Sequence, residues 1–156
     1  MAAMGEQKRS WVELLALVLA FLGAMISFVG ASFIYLSQAQ VAETNLWPLP
    51  GLALLDWVLS GSLVVIAVFF SLTRASKRWR AATWLFTGAL IPLIILGVFS
   101  IGPLVLLSFL LFVISTAILA LRSRSNWLVS FGMLMLGSMG NLAILLVIIT
   151  LSEQIL

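Results

Sequence analysis

The chain has 156 residues, of which 63% are hydrophobic and 8% are charged, whereas soluble globular proteins carry about 25% charged residues. Five acidic and eight basic side chains cannot cover so large an apolar core, so the composition excludes a soluble domain and predicts a polytopic membrane protein. The basic residues lie in short segments between apolar runs, so the net charge of +3 does not indicate a nucleic-acid partner. With no cysteine and no histidine, the chain lacks disulfides and the usual protein ligands of zinc, copper, haem and iron–sulfur clusters.

The first apolar run predicts a membrane-spanning helix at residues 11–36. It is longer than the hydrophobic region of a secretory signal, so we expect the helix to be retained. Ser10 and Glu13 stand in the order Ser-Trp-Val-Glu, which is typical of a capping box at the start of a helix. We therefore expect the helix to begin at Ser10 and Glu13 to have a structural role.

Small residues recur at helical spacing in the first and the last apolar runs. Gly23, Ser27 and Ala31 follow one another every four residues, and Gly137 and Gly140 lie near the middle of the last run. Small residues on one face allow helices to approach closely in lipid. These five positions are predicted helix-packing sites, either within one bundle or towards a second protein.

A polar loop at residues 37–51 follows the first helix and contains no basic residue. It ends in Trp-Pro-Leu-Pro-Gly, and its prolines suit the first turn of a second helix, which we place at residues 49–72. Trp47 and Trp57 are expected to mark the membrane interface, where tryptophan is enriched.

Four basic residues cluster after the second helix, in a segment that predicts a loop at the membrane surface. Basic side chains at this level attract anionic lipid, at about 1 kcal/mol each. The predicted lipid contacts are Arg74, Lys77, Arg78 and Arg80.

The next apolar run, residues 81–121, has no charged residue. A single helix of that length would be about 60 Å long, twice the hydrocarbon thickness. Gly97, Gly102 and Pro103 interrupt the run, so we expect a hairpin of two helices. We place these helices at residues 81–99 and 103–121.

A second basic segment, residues 122–126, precedes a fifth helix at residues 127–151. Five spans put every basic residue on one side of the membrane, while Glu43 and Glu153 lie on the other. The positive-inside rule then gives a cytoplasmic N-terminus and an outside C-terminus. The predicted fold is an all-α, five-transmembrane-helix bundle, a single membrane domain of residues 1–156, which we expect in the bacterial inner membrane.

Asp56 is the candidate functional residue of this chain, because an ionisable side chain within a span is costly unless it has a use. No basic residue shares its half of the bundle. Its carboxylate must therefore face water, accept hydrogen bonds from polar side chains such as Tyr35 or Gln38, bind a cation, or hold a proton. The alternative is an interfacial acid near a helix N-terminus, beside Trp57.

Two further residues within the spans carry polar or backbone features. Asn141 lies in the middle of the fifth helix, where an asparagine usually joins helices and less often binds a ligand. Pro92 predicts a kink in the third helix, because it removes the hydrogen bond to the Gly88 carbonyl. A carbonyl freed in this way can line a polar site.

The chain lacks the residue combinations of several common catalytic sites. A serine–histidine pair is excluded, Glu13 and Asp56 are predicted in opposite leaflets, and no glycine-rich phosphate loop is present. We therefore expect a non-catalytic protein without a catalytic residue, cofactor or metal site.

Three functions remain open. The first is an accessory or scaffold subunit of a larger membrane complex, with protein partners or a second copy. The second is a small transporter or channel that uses Asp56, Asn141 and the kink at Pro92. The third is an intramembrane binder of a lipid or apolar small molecule, with Asp56 and Trp57 at the mouth of its cleft.

Overall fold

The computed structural model describes the backbone of residues 2–41, 51–74, 76–98, 100–123 and 126–155, and the side chains of those residues between 11 and 40 and between 51 and 150. Every described element is helical. The helices are α1 (Ala2–Val41), α2 (Gly51–Arg74), α3 (Lys77–Gly88), α4 (Leu90–Leu96), α5 (Gly102–Arg122) and α6 (Trp127–Ile155). Glu43, Trp47 and the predicted loop around them lie outside the described residues.

Five helices in the described part of the chain are long and apolar enough to cross a membrane, and α3 and α4 together form the third of them. This confirms the predicted all-α architecture with five candidate spans. The predicted hairpin between the third and fourth spans is also present, because Gly102 N–H donates to the Gly97 carbonyl at 2.6 Å. Pro103 then stands in the first turn of α5, where its missing N–H costs no helical hydrogen bond.

Two helix starts differ from the prediction. The α1 helix begins at Ala2, so Ser10 and Glu13 lie inside it and Ser10 is not the helix start; the side chain of Ser10 lies outside the described residues. The residues before Ser10 are mostly alanine, methionine, glutamate, glutamine, lysine and arginine, which all favour helix and let it continue. The α3 helix begins at Lys77 with Ser76 as its N-cap, so most of the predicted basic loop is helical.

Four of the five candidate spans supply most of the shared core, and among the described core residues α6 contributes Leu145. The α1 helix packs against α2 and α5, and α3 packs against α2 and α6. The largest fully buried side chains are Trp57, Phe112 and Leu90. The α6 helix packs mainly against α3 and α4 and is the least buried of the spans.

Small residues set the distances between the packed helices. Gly23 of α1 lies against the ring of Phe112 in α5, and the fully buried Ser27 lies opposite Gly61 of α2. Ala31 is also buried. These three positions therefore face the interior of the bundle.

The seam between α3 and α6 is closer still. A Cβ added to Gly137 would collide with the Leu85 carbonyl oxygen, and a Cβ added to Gly88 would collide with the Leu134 carbonyl oxygen. Gly140, by contrast, has no atom of another helix within 4 Å of such a Cβ and lies on the open side of α6.

The described basic residues gather at one end of the bundle, which we call the basic end: the last turn of α2, the first turn of α3 and the last turn of α5. There Arg122 forms an ion pair with Glu13 at 2.5 Å. The Arg74 guanidinium lies 4.9 Å from the ring centre of Phe70, which in turn stacks on Trp79. Glu13 thus joins α1 to α5, which is a structural role other than the predicted cap.

Candidate functional site

The side chains of Asp56 and Asn141 meet inside the bundle, although 85 positions separate them in the chain. The Asn141 amide nitrogen donates to the Asp56 carboxylate at 2.8 Å and to the Ala89 carbonyl at 2.6 Å. The Ser60 hydroxyl, one turn along α2, also hydrogen-bonds to the Asp56 carboxylate. We call Asp56, Ser60, Ala89 and Asn141 the polar cluster.

The interruption between α3 and α4 places the Ala89 carbonyl in this cluster. The α3 helix ends at Gly88 and α4 begins at Leu90, so the interruption lies at Ala89, three residues before Pro92. This position agrees with the predicted kink. Pro92 has no N–H to donate, so the helical hydrogen-bond pattern is broken here. The carbonyl that accepts from Asn141 is that of Ala89, one residue later than the Gly88 carbonyl predicted from the sequence.

A local bond explains why Thr87, the residue before Gly88, does not join the cluster. Its hydroxyl donates to the Thr83 carbonyl at 2.7 Å, which is the common arrangement for a threonine inside a helix. Thr83 in turn donates to the Arg80 carbonyl at 2.7 Å.

No basic side chain of the described residues is near Asp56. Arg74, the base in the same helix, lies about 27 Å further along the axis at 1.5 Å per residue. The carboxylate is partly buried, and its described partners, Asn141 and Ser60, are uncharged. An acid with neutral partners in an apolar bundle needs water, a proton or a cation to balance its charge.

Trp57 takes no part in the cluster. Its side chain is fully buried, and its ring lies against Gly30 of α1, on the side of α2 that faces the core. Within the described residues its indole N–H has no hydrogen-bond partner. The structure therefore places Trp57 in the core of the bundle, and its level in the membrane and its role at the mouth of a cleft stay predictions.

A cavity of about 320 Å³ lies beyond the polar cluster, on the side away from the basic end. Its wall includes Ala53, Leu93 and Leu145, each one helical turn further from the basic end than Asp56, Ala89 and Asn141 respectively. Gln38 and Ser100 add polar groups to an otherwise apolar lining. One layer of side chains thus separates the polar cluster from the cavity.

Sequence reasoning named Asp56, Asn141 and the kink at Pro92 separately. It missed Ser60, whose position four residues after Asp56 puts it on the same helix face and could have indicated it. It named Tyr35 and Gln38 as hydrogen-bonding partners of Asp56, whereas the described bonds come from Asn141 and Ser60.

Comparison of the chain with protein-family models, with curated proteins and with solved structures found no match. The fold defines an all-helical protein with five candidate membrane spans, and the site defines one acid held by an amide and an interrupted helix.

Proposed function

We propose that this protein is a small, non-catalytic membrane transporter or channel for a proton or a monovalent cation, and that the polar cluster is its ion site. The observation that carries the proposal is the meeting of Asp56, Asn141 and the Ala89 carbonyl at the break between α3 and α4. In secondary transporters, interrupted helices expose backbone carbonyls that coordinate Na⁺ or H⁺ near the bilayer midplane.

The cluster contains the ligands that such an ion requires. Asp56, Ser60, Ala89 and Asn141 each supply at least one oxygen, and oxygen is the preferred ligand of hard cations. In the described arrangement the Asn141 amide nitrogen sits between two oxygens, where it donates to both. Rotation of the amide by half a turn would present its oxygen instead, so that a cation replaces the two N–H groups.

The cavity beyond the cluster supplies an approach from one side of the membrane. Leu93 and Leu145 lie between the cavity and the cluster, and both are almost completely buried. Movement of these two side chains would connect the ion site to the cavity. Towards the basic end, the close α3–α6 seam at Gly137 blocks the path along α6. We therefore propose that the ion exchanges through the cavity.

The distribution of charge predicts the orientation of the protein in the membrane. Placing the basic end in the cytoplasm obeys the positive-inside rule, so the cavity opens to the outside and the N-terminus is cytoplasmic. The bacterial inner membrane is the proposed location.

Ion flux into proteoliposomes tests this function. The wild-type protein is reconstituted with a pH-sensitive or Na⁺-sensitive dye inside, and an ion gradient is applied. We expect Asp56→Asn to abolish the flux, because the amide keeps the shape of the side chain and loses the charge that attracts the ion. Glu13→Gln makes the same chemical change at the basic end and is expected to leave the flux unchanged.

An equilibrium measurement separates ion binding from transport. A ligand at 100 times its Kd stabilises the folded state by about 2.7 kcal/mol. For a Na⁺ site, Na⁺ should raise the unfolding temperature of the wild-type protein relative to choline, and for a proton site a lower pH should raise it. Asp56→Asn should lose this difference. Full flux in the Asp56→Asn variant would reject the proposed ion site, whatever its stability.

A second candidate is the accessory or scaffold subunit, and one observation favours it. The open side of α6 carries Gly132 and Gly140, and a Cβ added to either would have no atom of another helix within 4 Å. Glycines on an uncovered face permit close approach by a helix of a partner. Purification from native membranes in mild detergent, followed by intact-complex mass spectrometry, would show a stoichiometric protein partner. A bare monomer would reject this candidate, and a retained apolar small molecule would favour binding in the cavity instead.

A further inference from the structure

A second cavity, of about 350 Å³, lies at the basic end between α3 and α6. Lys77 and Arg80 of α3 form one wall, and Ser123, Asn126 and Ser130 form the other. We propose that this basic pocket binds one phosphate group, carried by an anionic lipid headgroup or by a free phosphate compound. The proposal is independent of the ion site and of any transport through it.

The charges of the pocket match a phosphate. Two cationic side chains and no acid line it within the described residues, and lysine and arginine are the common phosphate ligands of proteins. Glu13 is the described acid at this end, and it lies in a smaller neighbouring cavity, where it pairs with Arg122. Arg80 forms part of both cavities, so it stands between the pocket and that ion pair.

The hydrogen-bonding groups of the opposite wall complete the match. The Ser123 hydroxyl donates to the Ala120 carbonyl at 3.2 Å and Ser130 is buried, so Asn126 supplies the free donor of this wall. Asn126 also caps α6, because its side-chain oxygen accepts from the Leu128 N–H at 3.1 Å. This bond fixes the amide at the rim, where its NH₂ group is a donor for a phosphate oxygen. A phosphate can therefore accept from both walls at once.

The structure separates the four clustered bases into different environments. Arg74 lies over the ring of Phe70, and Arg78 is exposed and is not part of the lining. Only Lys77 and Arg80 of this cluster line the pocket. A non-specific attraction of anionic lipid would use all four bases about equally, whereas a phosphate site depends on these two.

Native mass spectrometry of the purified full-length protein tests the site. The protein is titrated with phosphatidylglycerol, with phosphatidylcholine and, separately, with inorganic phosphate. Arg80→Gln is compared with Arg78→Gln, which removes the same charge two residues away and outside the pocket. Lys77→Gln provides a second pocket variant at an exposed position, where loss of folding is not expected.

We expect one phosphatidylglycerol molecule to bind more tightly than phosphatidylcholine. Arg80→Gln and Lys77→Gln should each weaken it about tenfold, because each removes a charge-assisted hydrogen bond to the phosphate. Arg78→Gln should weaken it less than twofold. Binding of inorganic phosphate with the same variant pattern would support the site and assign it to a free phosphate compound. Equal weakening by Arg78→Gln and Arg80→Gln, or equal binding of the two lipids with no binding of phosphate, would overturn the proposal.

Discussion

Replacing Gly137 with alanine tests the packing of α6 most directly. The added methyl group would meet the carbonyl oxygen of Leu85, which belongs to the backbone of α3 and cannot rotate away. The two helices would have to separate, and Asn141 lies one turn further along α6. The substitution therefore strains both the seam and the hydrogen bonds of the polar cluster.

The expected loss of unfolding free energy is obtained by comparing Gly137→Ala with a matched control. Overpacking of a close contact costs about 1–3 kcal/mol, while alanine gains up to about 1 kcal/mol over glycine inside a helix. Gly140→Ala, in the same helix, receives the propensity gain without the collision because nothing lies within 4 Å of its Cβ position. The difference between the two variants isolates the collision, so Gly137→Ala should be about 1–3 kcal/mol less stable than Gly140→Ala.

Reversible unfolding in mixed micelles measures this difference. Tryptophan fluorescence is a suitable signal, because the rings of Trp84 in α3 and Trp127 in α6 lie 6.4 Å apart across the seam. Gly88→Ala, which meets the Leu134 carbonyl oxygen from the other helix, should resemble Gly137→Ala. Equal unfolding free energies for Gly137→Ala and Gly140→Ala would refute the close seam.

Two smaller effects are also expected. Ser115 donates to the Ala16 carbonyl at 2.7 Å and joins α5 to α1, so Ser115→Ala should lower the unfolding free energy by about 0.6 kcal/mol and at most by about 1.7 kcal/mol. Ser62→Ala, which removes an exposed bond within one helix, should cost less. An equal cost for the two variants would contradict an interhelical contribution from Ser115. Glu13→Gln removes a partly exposed ion pair with Arg122, so it should cost less than about 1 kcal/mol and reduce the salt dependence of unfolding; a larger loss would show that the pair is not screened by solvent.

Hydropathy and turn residues predict the five candidate spans of this chain, because each depends on local composition. The hairpin at Gly97 and Pro103 is one example: no other fold of an uncharged run that long fits a bilayer. The predicted starts of α1 and α3 were wrong for a related reason. A serine can cap a helix only where the residues before it are not helical. The residues before Ser10 favour helix, so α1 begins earlier than predicted. Ser76 does cap α3, which therefore begins at Lys77 and not at residue 81.

The polar cluster depends on information that the sequence does not hold locally. Asp56 and Asn141 lie in helices that have few backbone contacts with each other, and they meet only because α3 and α4 sit between those helices. The position of Ala89 depends on where the break before Pro92 falls, which differs by one residue from the simplest expectation. Trp57 lies next to Asp56 in sequence, but the helix turns it towards the core, so only the assembled bundle shows that the two side chains lie in different environments.

The outside position of α6 also has a consequence for biosynthesis. This helix follows the other five in the chain and packs mainly against α3 and α4, so the ribosome delivers it after the rest of the described core has emerged. Until then Asp56 lacks the amide of Asn141. The polar cluster is therefore incomplete during synthesis until α6 has emerged and packed against α3 and α4.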